Sequence, residues 1–164
     1  MRPGDFAVVA TRSRIGWLIR LVTRSQYNHA WVYLGDGRIV EAEGNGAVIS
    51  ALVDYDGYPV LWSNMTLTEG QRAAIVAKAR AVVGTPYSWI DDACIALTAI
   101  FGVHVPASVR RRLGSTDHLQ CAQLVDTCYA AAGVQLFTDG RLPGAVSPGD
   151  LADVIAHRPV PEHW

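Results

Sequence analysis

The clearest alternation of apolar and polar positions runs through His29-Ala30-Trp31-Val32-Tyr33-Leu34 and resumes in Arg38-Ile39-Val40-Glu41-Ala42-Glu43. Between the two runs stand Gly35-Asp36-Gly37, and Asp-Gly between β-rich runs is a strong short-range hairpin signal. Phe6 to Ala10, after the Pro3-Gly4-Asp5 turn, reads as a short buried strand; Ala47 to Leu52 and Val60-Leu61-Trp62 read as two more. Elsewhere the period lengthens to that of a helix. Ile15 to Val22 predicts a short one, with Trp17, Leu18, Leu21 and Val22 on one side. From Thr68 to Gly84, Thr68 and Gln71 form a capping box, Ile75, Val76, Ala79, Val82 and Val83 make the buried stripe, and Gly84 ends the helix. The apolar segment from Ile90 to Val105 is a core helix, joined by a basic connection, 106–116, to a last strong helical pattern starting near Asp117. After it, 140–150 reads as a loop and Leu151 to Ala156 as a short element.

That last strong pattern carries the candidate chemistry. Asp117 can cap the helix, Gln120 can reach back to it, and Gly133 is a natural terminator, which puts Cys121 in the first turn. Unpaired N–H groups and the positive dipole end favour a thiolate there. The same periodicity supports a plainer reading. Cys121, Leu124, Val125, Cys128 and Ala132 fall on one face and could all be buried stripe. What separates the two is a partner base.

His29, at the mouth of the hairpin, is the best candidate for that base, since a thiol nucleophile needs an imidazole and the imidazole needs an orienting group. His29, Trp31 and Tyr33 share one face of their strand, and Glu41 and Glu43 share one of theirs. With a three-residue loop, paired residue numbers sum to 72, Glu43 stands opposite His29 and Glu41 lies diagonal to it; a two-residue loop turns both glutamates away. Periodicity leaves the choice between Glu41 and Glu43 open. His118 could tune the thiol or simply be a solvated capping-region residue, His104 reads as a core or turn residue, and His157 and His163 belong to the tail.

Composition narrows the alternatives. A chain of 164 residues, 50% apolar and 18% charged, fits one globular domain and argues against long disorder. The net charge of −1, with Arg110-Arg111-Arg112 as the sole dense basic run, predicts no nucleic-acid partner. Three cysteines without zinc spacing predict reduced thiols and no metal or other cofactor, although Cys94 could pair with Cys121 or Cys128. Those last two, seven residues apart on one helix, cannot pair with each other. The N-terminus lacks an apolar signal region and the run from Ala93 to Val103 is too short to span a bilayer. The expectation is therefore no transmembrane segment and a cytoplasmic or phage-associated location.

Pro3-Gly4-Asp5-Phe6, His29-Ala30-Trp31-Val32-Tyr33-Leu34-Gly35-Asp36-Gly37 and Val40-Glu41-Ala42 together resemble the histidine half of the NlpC-type papain-like cysteine peptidases. Gly84-Thr85-Pro86-Tyr87-Ser88-Trp89 and Cys121-Ala122-Gln123-Leu124-Val125 with Tyr129 and Ala132-Gly133 are similar to the cysteine half. The histidine half comes first, as in the circularly permuted branch that includes lecithin retinol acyltransferase-like proteins; Ser147-Pro148-Gly149-Asp150-Leu151 is similar to an element late in permuted members. The resemblance implies an α+β papain-like fold, a central antiparallel sheet packed against helices over residues 1–164. It implies Cys121 as nucleophile, His29 as base, Glu41, twelve residues after His29, as third member, and Tyr87 as a substrate-binding residue. Departures are Ala122 and Gln123 where the family has serine and glycine, and Glu41 where it has a second histidine. The implied substrate is a peptide or acyl compound, with peptidoglycan stem peptides foremost. Acyl transfer to lipid or other acceptors is the competing enzyme reading, and a non-catalytic binding or structural module is the competing class.

Overall fold

The computed structural model describes residues 1–12, 25–43, 46–85, 121–141 and 146–157. Among these the chain is α+β. Five strands, β1 (Phe6–Val9), β2 (His29–Gly35), β3 (Arg38–Glu43), β4 (Gly46–Ala51) and β5 (Val60–Trp62), form one antiparallel sheet in the order β4-β3-β2-β1-β5. Three helices accompany it: α1 (Glu69–Ala81), α2 (Cys121–Ala131) and α3 (Pro148–His157). The predicted helix at 15–22, the apolar segment at 90–105 and the basic connection at 106–116 lie outside the described residues.

The period of two sorts the sheet into two faces. Phe6, Val8, Ala30, Val32, Val40 and Ala42 face the helices, where they meet Ile75 and Ala79 of α1, Leu124, Val125 and Cys128 of α2, and Leu151 of α3. Ala7, Val9, Trp31 and Ile39 point the other way, under a layer that includes Tyr33, Tyr55, Tyr58 and Trp62. The eleven described residues of α2 would be marginal as an isolated helix in water. Leu124, Val125, Cys128 and Tyr129 have no exposed surface, and full burial is worth about 1.5–3 kcal/mol for a side chain the size of valine or leucine, so packing on β2 and β3 holds α2 in place.

The hairpin combines features of both loop readings. Asp36 (φ 51°) and Gly37 (φ 68°) both have positive φ, as a two-residue type I′ turn demands, and Gly35 pairs with Arg38. A bulge between Tyr33 and Gly35 then shifts the ladder, so that Tyr33 pairs with Ile39, Val32 with Val40 and Trp31 with Glu41. Those pairs sum to 72. Glu41 thus shares a face with Trp31 and lies diagonal to His29.

Pro3-Gly4-Asp5 proves to be the knot that ties sheet to helices. The Gly4 N–H donates to the Tyr33 carbonyl at 2.8 Å, and the Gly4 carbonyl accepts from the Tyr129 hydroxyl of α2 at 2.9 Å. Gly4 has φ +87°, and a Cβ there would stand 3.2 Å from the Cα of Arg72, so glycine serves both the turn and the close approach of α1. Tyr129 also meets Phe6 edge to face at 5.3 Å. A residue of the α2 helix two turns beyond Cys121 is therefore fixed to the start of the chain.

Three expectations need correction. Val83 is 39% exposed rather than part of the α1 stripe, because the helix ends at Ala81 and the chain turns away; Arg72 is buried on that helix instead, and Val76 only half so. The strand expected to reach Leu52 stops at Ala51, where a 3₁₀ turn, Leu52–Tyr55, begins. The last element starts at Pro148 rather than Leu151: Ser147 accepts from the Asp150 N–H while the Asp150 carboxylate accepts from the Ser147 N–H and hydroxyl, a reciprocal cap with proline at the first helical position. Among the described residues no helix is long and apolar enough to cross a membrane.

Candidate functional site

His29 opens β2, and Cys121 of α2 meets it at that end of the sheet, although α2 covers the face opposite Trp31. The imidazole has two side-chain partners. Its Nε2 lies 2.7 Å from Oε2 of Glu41, with side chains 15% and 1% exposed, and it also hydrogen-bonds the Cys121 side chain.

A buried carboxylate is costly unless it is paired and hydrogen-bonded. Glu41 meets that demand through His29, the hydroxyl of Ser50 on β4 and the hydroxyl of Tyr55 on the 3₁₀ turn. Burial by itself would raise the carboxyl's pKa, but the hydrogen bonds and the charge of His29 outweigh it and hold Glu41 below its ordinary value. Burial likewise would lower His29, yet the hydrogen bonds to Cys121 and Glu41, with their charges, raise it above its ordinary value. An ionised carboxylate only accepts, so Nε2 carries a proton. In neutral His29 the lone pair is then on Nδ1.

These directions fix a pH window. His29, raised, contributes stability that is fully present below its unfolded value of 6.5 and is lost as pH climbs through the folded one. Glu41, lowered, contributes stability that is fully present above its unfolded value of 4.5 and is lost as pH falls through the folded one. The pair's combined contribution should be complete between pH 4.5 and 6.5 and shrink on either side. Urea unfolding of wild type and of a His29→Ala, Glu41→Ala double variant across pH checks this; a constant difference between the two would refute it.

The structure brings three of the sequence-predicted residues together: Cys121, His29 and Glu41. Glu43 lies exposed at the end of β3, opposite Gly46. Tyr87, Cys94, His104, His118 and the Asp117 and Gln120 cap lie outside the described residues. Cys121 is 9% exposed at the margin of the core, and its side chain is a hydrogen-bond partner of the imidazole. Cys128 is wholly buried, and burial pushes its thiol up to about 12.

Sequence reasoning missed Tyr55 and Ser50. Ser50 pairs with Ile39 and so sits on the Glu41 face of the sheet, a position that strand alternation could have revealed. Tyr55 carries no such signal, standing in an irregular turn before Asp56-Gly57. Its ring stacks on His29 at 6.0 Å and packs against Trp31 at 4.3 Å.

No known protein family matches this chain, and no curated protein does. Among solved structures it is similar to the metalloprotein YiiX of Escherichia coli O157:H7, a DUF1105 protein, with a TM-score of 0.58 and 18% identity over 84% of this chain and 69% of that one. Identity this low speaks for a common fold alone. The word metalloprotein describes that neighbour. Among the described residues of this chain no three His, Cys, Asp or Glu side chains are grouped to hold a metal ion, and His29 spends its ring on Cys121 and Glu41.

Proposed function

We propose that the protein is a thiol hydrolase of the permuted NlpC-type, papain-like kind, acting on an amide bond through an acyl-enzyme. One observation supports the reading: a single imidazole that is hydrogen-bonded both to a buried carboxylate and to the thiol of a helical cysteine. A purely structural histidine needs no such pairing.

In the proposed reaction Nδ1 of His29 takes the proton of Cys121, and Sγ attacks the carbonyl carbon. The resulting oxyanion is met by the Cys121 backbone N–H at the helix head and a neighbouring donor. Collapse breaks the C–N bond as the imidazolium returns the proton to the departing amine. Water, deprotonated by His29, then attacks the thioester, and Sγ leaves. Glu41 keeps the proton on Nε2 throughout and steadies the imidazolium. The resemblance noted above makes peptidoglycan stem peptides the first substrates to try, as an endopeptidase or amidase. With an acceptor other than water the same steps give an acyltransferase.

Wild type and Cys121→Ala should be incubated with purified peptidoglycan, muropeptides and acyl esters, with products and intact protein followed by mass spectrometry. Products from wild type alone, with an acyl adduct on Cys121, are the expected result. Equal turnover by both proteins removes Cys121 from the mechanism.

A further inference from the structure

We infer that Tyr55 is a positioning residue of the proposed site, its hydroxyl locking the same carboxylate oxygen that orients the His29 imidazole. The two donors converge on one atom: both Nε2 of His29 and the Tyr55 hydroxyl bond Oε2 of Glu41. A carboxylate oxygen with only the imidazole on it could pivot about its carbon bond, and the ring with it. The phenol removes that freedom, while its ring, stacked on His29 at 6.0 Å and against Trp31 at 4.3 Å, limits tilting of the imidazole. Trp31 is the residue paired with Glu41 across the strands, so one aromatic wall supports both members.

The hydroxyl stays a donor over the working pH range. Burial, the hydrogen bond to Glu41 and the charges of Glu41, Glu43 and Cys121 all push the phenol up from its ordinary value. Among the described residues the titratable groups around Glu41 are thus His29 on β2, Glu43 on β3, Tyr55 on the 3₁₀ turn and Cys121 on α2, with Ser50 of β4 as a further polar neighbour. Only ionised Glu41 gains from the phenol, because a neutral carboxyl is a much poorer acceptor.

The role in catalysis rests on the function proposed above; the lock on Glu41 does not. Tyr55→Phe keeps the ring and its packing and deletes the hydroxyl. Losing a hydrogen bond to a charged group corresponds to roughly a tenfold change in proton affinity. Glu41, followed by NMR of its carboxyl carbon, should therefore take up its proton about one pH unit higher in Tyr55→Phe than in wild type, and the acid limb of Cys121 acylation by an activated ester should move with it. Tyr58→Phe, which alters a neighbouring ring 6.3 Å from Tyr55, should move neither. Glu41 titrating alike in wild type and Tyr55→Phe would overturn the inference. If wild type forms no acyl-enzyme, the hydrolase reading falls while the Glu41 titration still decides what Tyr55 does.

Discussion

His29→Ala is expected to lower kcat/KM for Cys121 acylation by an activated ester about 10²- to 10⁴-fold at neutral pH, the range that a positioned general base contributes. In the proposed reaction the base is wanted twice, once to take the thiol proton and once to deliver it to the leaving group. The alanine variant loses both steps and also strands Glu41, a carboxylate 1% exposed, without its principal partner. Free imidazole should restore part of the rate, since the deletion leaves a space of the right shape beside Glu41 and Tyr55. The pH profile supplies a second reading of the same residue. His29 holds its proton above its usual range, so the imidazolium form that must feed the leaving group survives to higher pH than a free histidine would allow. Activity should accordingly persist above pH 6.5 and decline only as His29 finally deprotonates. Acylation as fast in His29→Ala as in wild type would mean that the imidazole contact to Cys121 is architectural.

How far this site was legible in the sequence depended on the kind of signal each residue left. The Asp36-Gly37 turn and the alternation around it located the hairpin, because positive φ at two successive positions and a period of two are both written in residue types. The choice between Glu41 and Glu43 was not written there. A bulge between Tyr33 and Gly35, a one-residue shift of the backbone that leaves no trace in side-chain chemistry beyond a glycine, puts both glutamates on the His29 face, and what then separates them is that Glu41 is buried while Glu43 is exposed at the strand end. The Thr68 and Gln71 cap of α1 was legible for the same reason as the turn, and both of its reciprocal bonds form. Arg72 went unread because a charged residue on a helix is normally solvated; only a tertiary partner, 67 residues away in sequence, explains its burial. Tyr55 is the same lesson in a loop: its partner Glu41 is defined by strand pairing, and nothing local announces it.

Arg72 also gives the largest expected effect on stability. Its guanidinium bonds the Asp5 carboxylate at 2.8 Å, the Pro3 carbonyl at 3.0 Å and the Met65 carbonyl at 3.3 Å, and both charged side chains are less than a tenth exposed. Breaking a buried pair by removing one partner costs about 3–5 kcal/mol, mostly because the remaining charge has nowhere to go. Against a total of about 5–15 kcal/mol for a typical domain, Arg72→Met should take a large share, read as a lower urea midpoint. The source of the loss can be separated from lost packing of the arginine stem. If the stranded Asp5 charge dominates, adding Asp5→Asn to Arg72→Met should recover at least half of the deficit, since asparagine still accepts the Arg2 N–H that now bonds Asp5 at 2.6 Å. If packing dominates, the double variant will be no better than the single one. The consequence reaches the thiol as well. Asp5 adjoins Gly4, and the Gly4 carbonyl is what holds Tyr129 and hence α2, so loosening this turn should slow Cys121 acylation even at temperatures where the fold persists. A variant that is destabilised yet acylates Cys121 at the wild-type rate would show that the first residues of the chain support the fold without aligning the helix.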